Sequence, residues 1–271
     1  MSIKLTPRLM TAVPYVRRGG LVADVGTDHA YLPIYLCEAG ILSPVPTPEG
    51  SSLCAIAADI NRGPVERADR HIAEAGLTAR IRTVQTDGLR GLEIYAPSDI
   101  IIFGMGGELI AAILEASPWV GKDGRRLILQ PMTHAEKLRT YLLSAGFTIV
   151  GETLSREGDR IYQTLCAEPG AGAAPAVLTP GELAVGQAVW HKDAAPRALY
   201  AALIEKTLRI ETAARDARRR AGRRRDLRAA GDHTGGAGAV RGAGAAFAGD
   251  LTAYVESPRR MAGASFRRGC S

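Results

Sequence analysis

Five apolar runs constrain this chain more than any other feature. They are "LVADV" (Leu21–Val25), "CAIAAD" (Cys54–Asp59), "IRTVQ" (Ile81–Gln85), "DIIIF" (Asp99–Phe103) and "RLILQ" (Arg126–Gln130). All five read as strands, and "DIIIF" is the near-continuous apolar run of a strand covered on both faces. They alternate with segments of helical spacing at Tyr31–Ala39, Val65–Ala75, Glu108–Ala116 and Ala135–Ala145. Pro64 precedes the second of these, at a helix start where its missing N–H costs nothing. "FTIVGETLSREGDRIYQTLCAE" then reads as two strands joined by a turn at Glu157–Asp159. The pattern predicts an α/β domain, a mostly parallel sheet with helices on both faces.

The flanking segments complete the expected organisation. Residues 3–17 read as a short helix, with Leu5, Leu9, Val13 and Val16 at helical spacing. Residues 43–52 hold three prolines and read as a surface loop. The α/β domain is expected over 1–169, with a linker across 168–176. A helical, basic domain is expected over 178–230, as two antiparallel helices. Leu199, Leu203 and Ile210 would line one face, with Ile204 and Leu208 beside it. Residues 231–271 are rich in Gly and Ala and are expected to be a disordered tail.

The formal charge of +6 is unevenly placed. Residues 206–228 carry ten Lys/Arg against Glu211, Asp216 and Asp226, a net +7, so the remainder is near −1. That concentration marks one segment as a candidate contact for a polyanion. No run approaches the roughly 20 apolar residues of a membrane-spanning helix. "MSIKLTPRLM" lacks a signal-peptide core. Cys37, Cys54, Cys166 and Cys270 show no C-x-x-C spacing and read as reduced thiols. The expectation is a cytoplasmic monomer that makes no membrane contact and binds no metal.

In an open α/β sheet, ligands bind beyond the carboxyl ends of the strands. The first run ends in Asp24-Val25-Gly26, with Asp28, His29 and Tyr31 close behind. One glycine lets a ligand approach the backbone. A pyrophosphate would favour more glycine and fewer acids, so this turn suits a ligand bearing an amine or sulfonium, such as S-adenosylmethionine. The competing reading is an aspartate that caps the next helix. The second run ends in Asp59, followed by Asn61, and an acid there can accept ribose hydroxyls. The third ends in Asp87-Gly88, where an acid can accept from an adenine amino group, although D-G is also a common turn. The fourth ends in Gly104, Met105, Gly106 and Gly107, a backbone bare enough to pass close to a flat base. Gln130-Pro131, at the end of the fifth, can line the same mouth. His71, His134, His191 and His233 are scattered and read as surface or packing residues.

Taken in order, "VADVGTDHAYLPIYL", "AADINRGPVERA", "TDGL", "IIFGMGGELI", "LILQP" and "IYQTL" resemble the bacterial tRNA (adenine-22 N1)-methyltransferases, from about Leu5 to Cys166. The resemblance implies a Rossmann-like class I methyltransferase sheet with a C-terminal α-helical, coiled-coil-like extension that helps to bind tRNA. It implies S-adenosyl-L-methionine as methyl donor and N1 of a D-arm adenosine as acceptor. The chain departs from the family pattern in its longer 43–52 loop and at Val65, Met132 and Gln163.

On this reading Asp24, Gly26, Asp59, Asn61, Asp87, Gly88, Gly104 and Gly106 contact the cofactor. Asp28, His29, Tyr31 and Met105 serve the reaction, and Gly107, Gln130 and Pro131 meet the substrate base. Arg218, Arg219 and Arg223 grip tRNA phosphates without reading sequence. Two other readings stay open. One is methylation of a small molecule or protein, and the other is a non-catalytic RNA-binding module. A nicotinamide-dependent oxidoreductase fits worst, because the first turn lacks the glycine fingerprint.

Overall fold

The computed structural model describes residues 3–170, 177–186 and 194–229, with side chains described for 198–221 of the last segment. The expected tail, 231–271, lies outside the described residues.

The five apolar runs become β1 (Val22–Val25), β4 (Ala55–Asp59), β5 (Ile81–Gln85), β6 (Asp99–Met105) and β7 (Arg126–Pro131). The hairpin is β8 (Phe147–Glu157) and β9 (Arg160–Pro169). Together they form one seven-stranded sheet in the order β5-β4-β1-β6-β7-β9-β8. The first five strands run parallel, and β9 and β8 are antiparallel. The strand order reverses at β1, which places the ligand crevice of such a sheet at the carboxyl ends of β1, β4 and β6.

Alternate residues of each central strand feed opposite faces. Ala23, Val25, Ile100 and Ile102 join the core under α4 (Gly107–Glu115) and α5 (Ala135–Ser144). Val22, Ile101 and Phe103 join the core under α2 (Tyr31–Glu38) and α3 (Arg62–Glu74). Each fully buried aliphatic side chain contributes about 1.5–3 kcal/mol, so both layers are strongly held.

Three expectations change. Residues 3–17 do not form one helix. Thr6 caps a four-residue α1 (Pro7–Met10), with Pro7 at its start. A 3₁₀ turn follows at Val13–Tyr15, because Pro14 lacks the N–H that would continue the α ladder. The 43–52 loop contains a two-stranded antiparallel ribbon, β2 (Val45–Pro46) and β3 (Ser52–Leu53). The C-terminal helices are unequal, with a six-residue α6 (Pro180–Val185) ahead of a single long α7 (Ala194–Ala229).

The base of α7 is seated on the hairpin through Leu154, Val185, Tyr200, Leu203 and Ile204, with Leu199 and Leu208 partly buried beside them. Ile210, expected on that face, is 58% exposed. The seating is reinforced by Arg139, which is fully buried. Its guanidinium donates to Glu152, to the Leu183 carbonyl and to Gln163, each at 2.7 Å. No helix of the described residues is long and apolar enough to cross a membrane.

Candidate active site

A cleft of about 500 Å³ opens at the carboxyl ends of β1, β4 and β6. It gathers Asp24, Gly26, Asp28, His29, Tyr31, Asp59, Gly104 and Met105. Segments distant in sequence, from the end of β1, the end of β4 and the end of β6, are brought to one mouth by the crossover topology.

Asp24 sits on the middle strand, flanked by Ala57 and Ile101. Burial pushes its carboxyl up to about 6; a hydrogen bond with Thr27 opposes the shift and the nearby Asp59 charge adds to it. Asp24 does not cap the next helix, because the N-cap of α2 is Ala30, which has no capping side chain. A buried acid without a capping role at the ligand end of a sheet is a candidate binding-site group. The turn beyond it is fixed by backbone bonds from Gly26 and Thr27 to the Ala58 carbonyl, at 2.8 and 3.0 Å. Thr27 Oγ1 accepts from the Ala30 N–H at 3.2 Å. Gly26 has φ +80°, and a Cβ there would stand 2.5 Å from Met105 Cε. Only glycine allows both the turn and the methionine packed against it.

Asp59 accepts from the Asn61 N–H at 2.8 Å through Oδ1. Its half-buried carboxylate otherwise faces the cleft, whereas Asn61 itself is exposed at the start of α3. Asp87 and Gly88 line a neighbouring depression of about 380 Å³, bounded by Leu109 and Ile113 of α4. It abuts Asp59 through the Thr86 N–H, which donates to the Asp59 carbonyl at 2.9 Å.

The three residues behind the first turn form one device. Asp28 is ion-paired with Arg67, whose Nε lies at 3.1 Å, and meets His29 Nε2 at 3.2 Å. The Arg67 hydrogen bond, foremost, holds the Asp28 carboxyl below the usual range. The carboxylate, at the exposed rim, is therefore largely committed to these two partners. Its contact assigns the His29 proton to Nε2 and leaves Nδ1 as an acceptor. That Nδ1 is buried and has no partner among the described residues. His29, Tyr31 and His71 form a three-ring cluster with centroids 4.9–5.1 Å apart. His71 Nδ1 also meets the His29 carbonyl at 3.1 Å. His71 thus packs behind the two cleft residues as a packing histidine, the role its sequence context suggested. Tyr31 is 39% exposed at the rim, stacked against the two imidazoles.

Other expected site residues lie elsewhere. Gly106 is the N-cap of α4. Gly107 is buried, and a Cβ there would stand 2.3 Å from the His134 carbonyl oxygen, so its bare backbone serves packing. Gln130 is fully buried and accepts from Arg8 Nη1 at 3.1 Å. Pro131, paired with Met105, opens onto a groove of about 640 Å³ between α5 and α7. That groove shares Glu211 with a hollow lined by Arg215, Arg218 and Arg219. Arg218 and Arg219 are exposed on α7; the side chain of Arg223 lies outside those described. The cleft also holds Thr6, Arg8 and Leu9 from the N-terminal segment. Sequence reading placed this segment in an ordered helix from its apolar spacing but assigned Thr6, Arg8 and Leu9 no part in the site.

Residues 5–165 match the family model described as a methyltransferase domain. The chain is 39% identical over 173 residues to the tRNA (adenine(22)-N(1))-methyltransferase of Bacillus subtilis, covering 62% of this chain and 67% of that protein. The crystal structure of the m1A22 tRNA methyltransferase from B. subtilis superposes with a TM-score of 0.66 at 29% identity, over 94% of this chain and 97% of that one. A Streptococcus pneumoniae protein described as a putative tRNA (m1A22) methyltransferase, solved with S-adenosyl-L-methionine, gives 0.65 at 30% identity, over 78% and 91%.

Proposed function

The chain belongs to the methyltransferase-domain family, and within it to the tRNA (adenine-22 N1)-methyltransferases, and from that premise we propose a role for each wall of the cleft. The enzyme uses S-adenosyl-L-methionine to methylate N1 of an adenosine in tRNA, and the adenosine we assign is position 22. The target follows from the relatives, and one observation of the structure carries the cofactor assignment. A buried carboxylate, Asp24, stands beside a glycine turn at the switch point, without a capping role and in a cleft shared with Asp59.

The donor set fits the cofactor. Asp24 would hold its ammonium, Asp59 its ribose hydroxyls, and Asp87 with Gly88 its adenine in the adjoining depression. Met105, packed over Gly26, would form the wall at the reacting end. When bound, S-adenosylmethionine supplies an electrophilic methyl group.

The remaining chemistry falls to positioning. Adenine N1 is unprotonated near neutral pH, with its lone pair in the ring plane, so no general base is obligatory. In a duplex N1 faces its pairing partner, so the base must be unpaired or flipped. Tyr31 offers a stacking face at the rim. The His29 ring, oriented by Asp28 and partly exposed beside Tyr31, would meet the edge of the base and stabilise the positive charge that develops on it. Asp28 is thus a positioning residue, with Arg67 behind it. The surface from Met105 through Pro131 and the α7 groove to Arg218 and Arg219 is a route for the tRNA backbone.

The test is to incubate the protein with labelled methyl donor, bulk tRNA lacking the modification, and a cell extract freed of nucleic acid. Label in tRNA is the expected result. Label confined to protein or small molecules would overturn the reading.

A further inference from the structure

Resting on the S-adenosylmethionine reading above, we infer that Arg8 is the cofactor-specificity residue that binds the amino-acid carboxylate of the cofactor. Arg8 is the single lysine or arginine lining the cleft among the described residues, facing Asp24, Asp28 and Asp59. It arrives from α1, far from the other cleft residues in sequence, and it is held from several sides. Its Nη1 donates to the fully buried Gln130 at 3.1 Å. Its backbone N–H donates to Glu157 at 2.8 Å, with that carboxylate 4.0 Å from Nε. The guanidinium lies over the Tyr162 ring, 5.7 Å from its centroid. A Cβ on Gly104 would stand 3.7 Å from Nη1, so the cation overlies the bare end of β6.

Three anchors on one guanidinium fix its position yet leave donors unused. Nη1 makes its one side-chain hydrogen bond among the described residues, and a guanidinium has five N–H groups. A fixed fork with spare donors is suited to a carboxylate. An amino-acid ligand whose ammonium is met by Asp24 carries its carboxylate on the same carbon, and that anion needs a cation in an otherwise acidic cleft. A tRNA phosphate is the poorer occupant, because the side chain is only 24% exposed and is tied to a buried glutamine below the rim.

Calorimetry on the full chain tests this with S-adenosylhomocysteine and its decarboxylated analogue, S-adenosyl-3-thiopropylamine, which keeps the ammonium. Wild type is expected to prefer the carboxylate ligand by about ten- to a hundredfold. Arg8→Met and Arg8→Gln are each expected to lose most of that preference. The ratio is taken on one preparation, so a partly folded variant still reports it, and Arg8→Gln keeps polar contact with Gln130 and Glu157 if Arg8→Met fails to fold. An unchanged preference in either variant overturns the inference, as does a loss confined to tRNA affinity. Failure of wild type to bind either ligand would instead overturn the cofactor reading itself.

Discussion

Gly26 and Met105 are interlocked: the hydrogen on Gly26 occupies space where a Cβ would stand 2.5 Å from the methionine Cε. The flexible methionine tip can shift, but φ +80° strains any L side chain wherever the tip goes. Gly26→Ala should cost about 1–2 kcal/mol in stability from the backbone alone. It should also weaken S-adenosylhomocysteine binding. Thermal unfolding and calorimetry check both; wild-type affinity would show that Met105 does not bound the cofactor space.

Asp24 makes ligand binding depend on pH. Its carboxyl is raised to about 6 by burial, so the folded protein holds the proton more tightly than the unfolded chain. The stability it contributes is present below about pH 4 and is lost as pH rises to about 6, on the order of 3 kcal/mol in the ligand-free protein. An ammonium ligand needs the ionised form, so S-adenosylhomocysteine affinity should rise as pH passes through about 6. Asp24→Asn should bind weakly at every pH and be no less stable than wild type at pH 8 when ligand-free. A flat affinity profile for wild type would contradict the assignment.

His29 and Asp28 should separate by degree. His29→Ala is expected to lower turnover by about ten- to a hundredfold while leaving S-adenosylhomocysteine affinity nearly unchanged. Asp28→Asn should lower it less, because it acts through the imidazole it orients. Single-turnover methylation with a parallel binding titration checks this; equal loss of affinity and turnover in His29→Ala would place His29 at the cofactor instead.

The Arg139–Glu152 pair is buried at both ends and also grips the carbonyl of Leu183 ahead of α7. Arg139→Ala leaves Glu152 buried without its counter-charge, at a cost of about 3–5 kcal/mol. Chemical denaturation should register that loss, and limited proteolysis should then cut the segment carrying α6 and α7 faster than the sheet domain. A variant as stable and protease-resistant as wild type would mean that the hairpin cluster alone seats α7.

The arginines of α7 predict a salt signature. Each phosphate contact contributes about 0.7–0.9 to the slope of log affinity against log salt. Arg218→Ala with Arg219→Ala should therefore weaken tRNA binding and flatten that slope by about 1.4–1.8. An unchanged slope would mean that the two arginines form only a solvated face.

The strand ends were legible because two local signals coincide there. An apolar run that must be buried stops at an acid or glycine, and sheet topology alone gathers such ends; Asp24, Asp59 and Gly104 follow from that. Their partners were not legible. Arg8 and Arg67 reach the site by tertiary packing, and nothing in their local pattern distinguishes them from surface residues. Gly107 was misleading for the same reason. A glycine that admits a ligand and one that admits the His134 carbonyl look alike in sequence. Gln163, a departure from the family pattern, takes its meaning only beside Arg139. Helical periodicity over 3–17 was genuine, but Pro14 outweighed it.

The central claim is that this cleft methylates one ring nitrogen of one adenosine. The most direct measurement is mass spectrometry of nuclease fragments from a tRNA transcript treated with enzyme and S-adenosylmethionine, beside a transcript with guanosine at position 22. A single 1-methyladenosine at position 22, and none in the substituted transcript, is the predicted result. Methylation of equal extent in the substituted transcript, or at another atom of the base, would contradict the account.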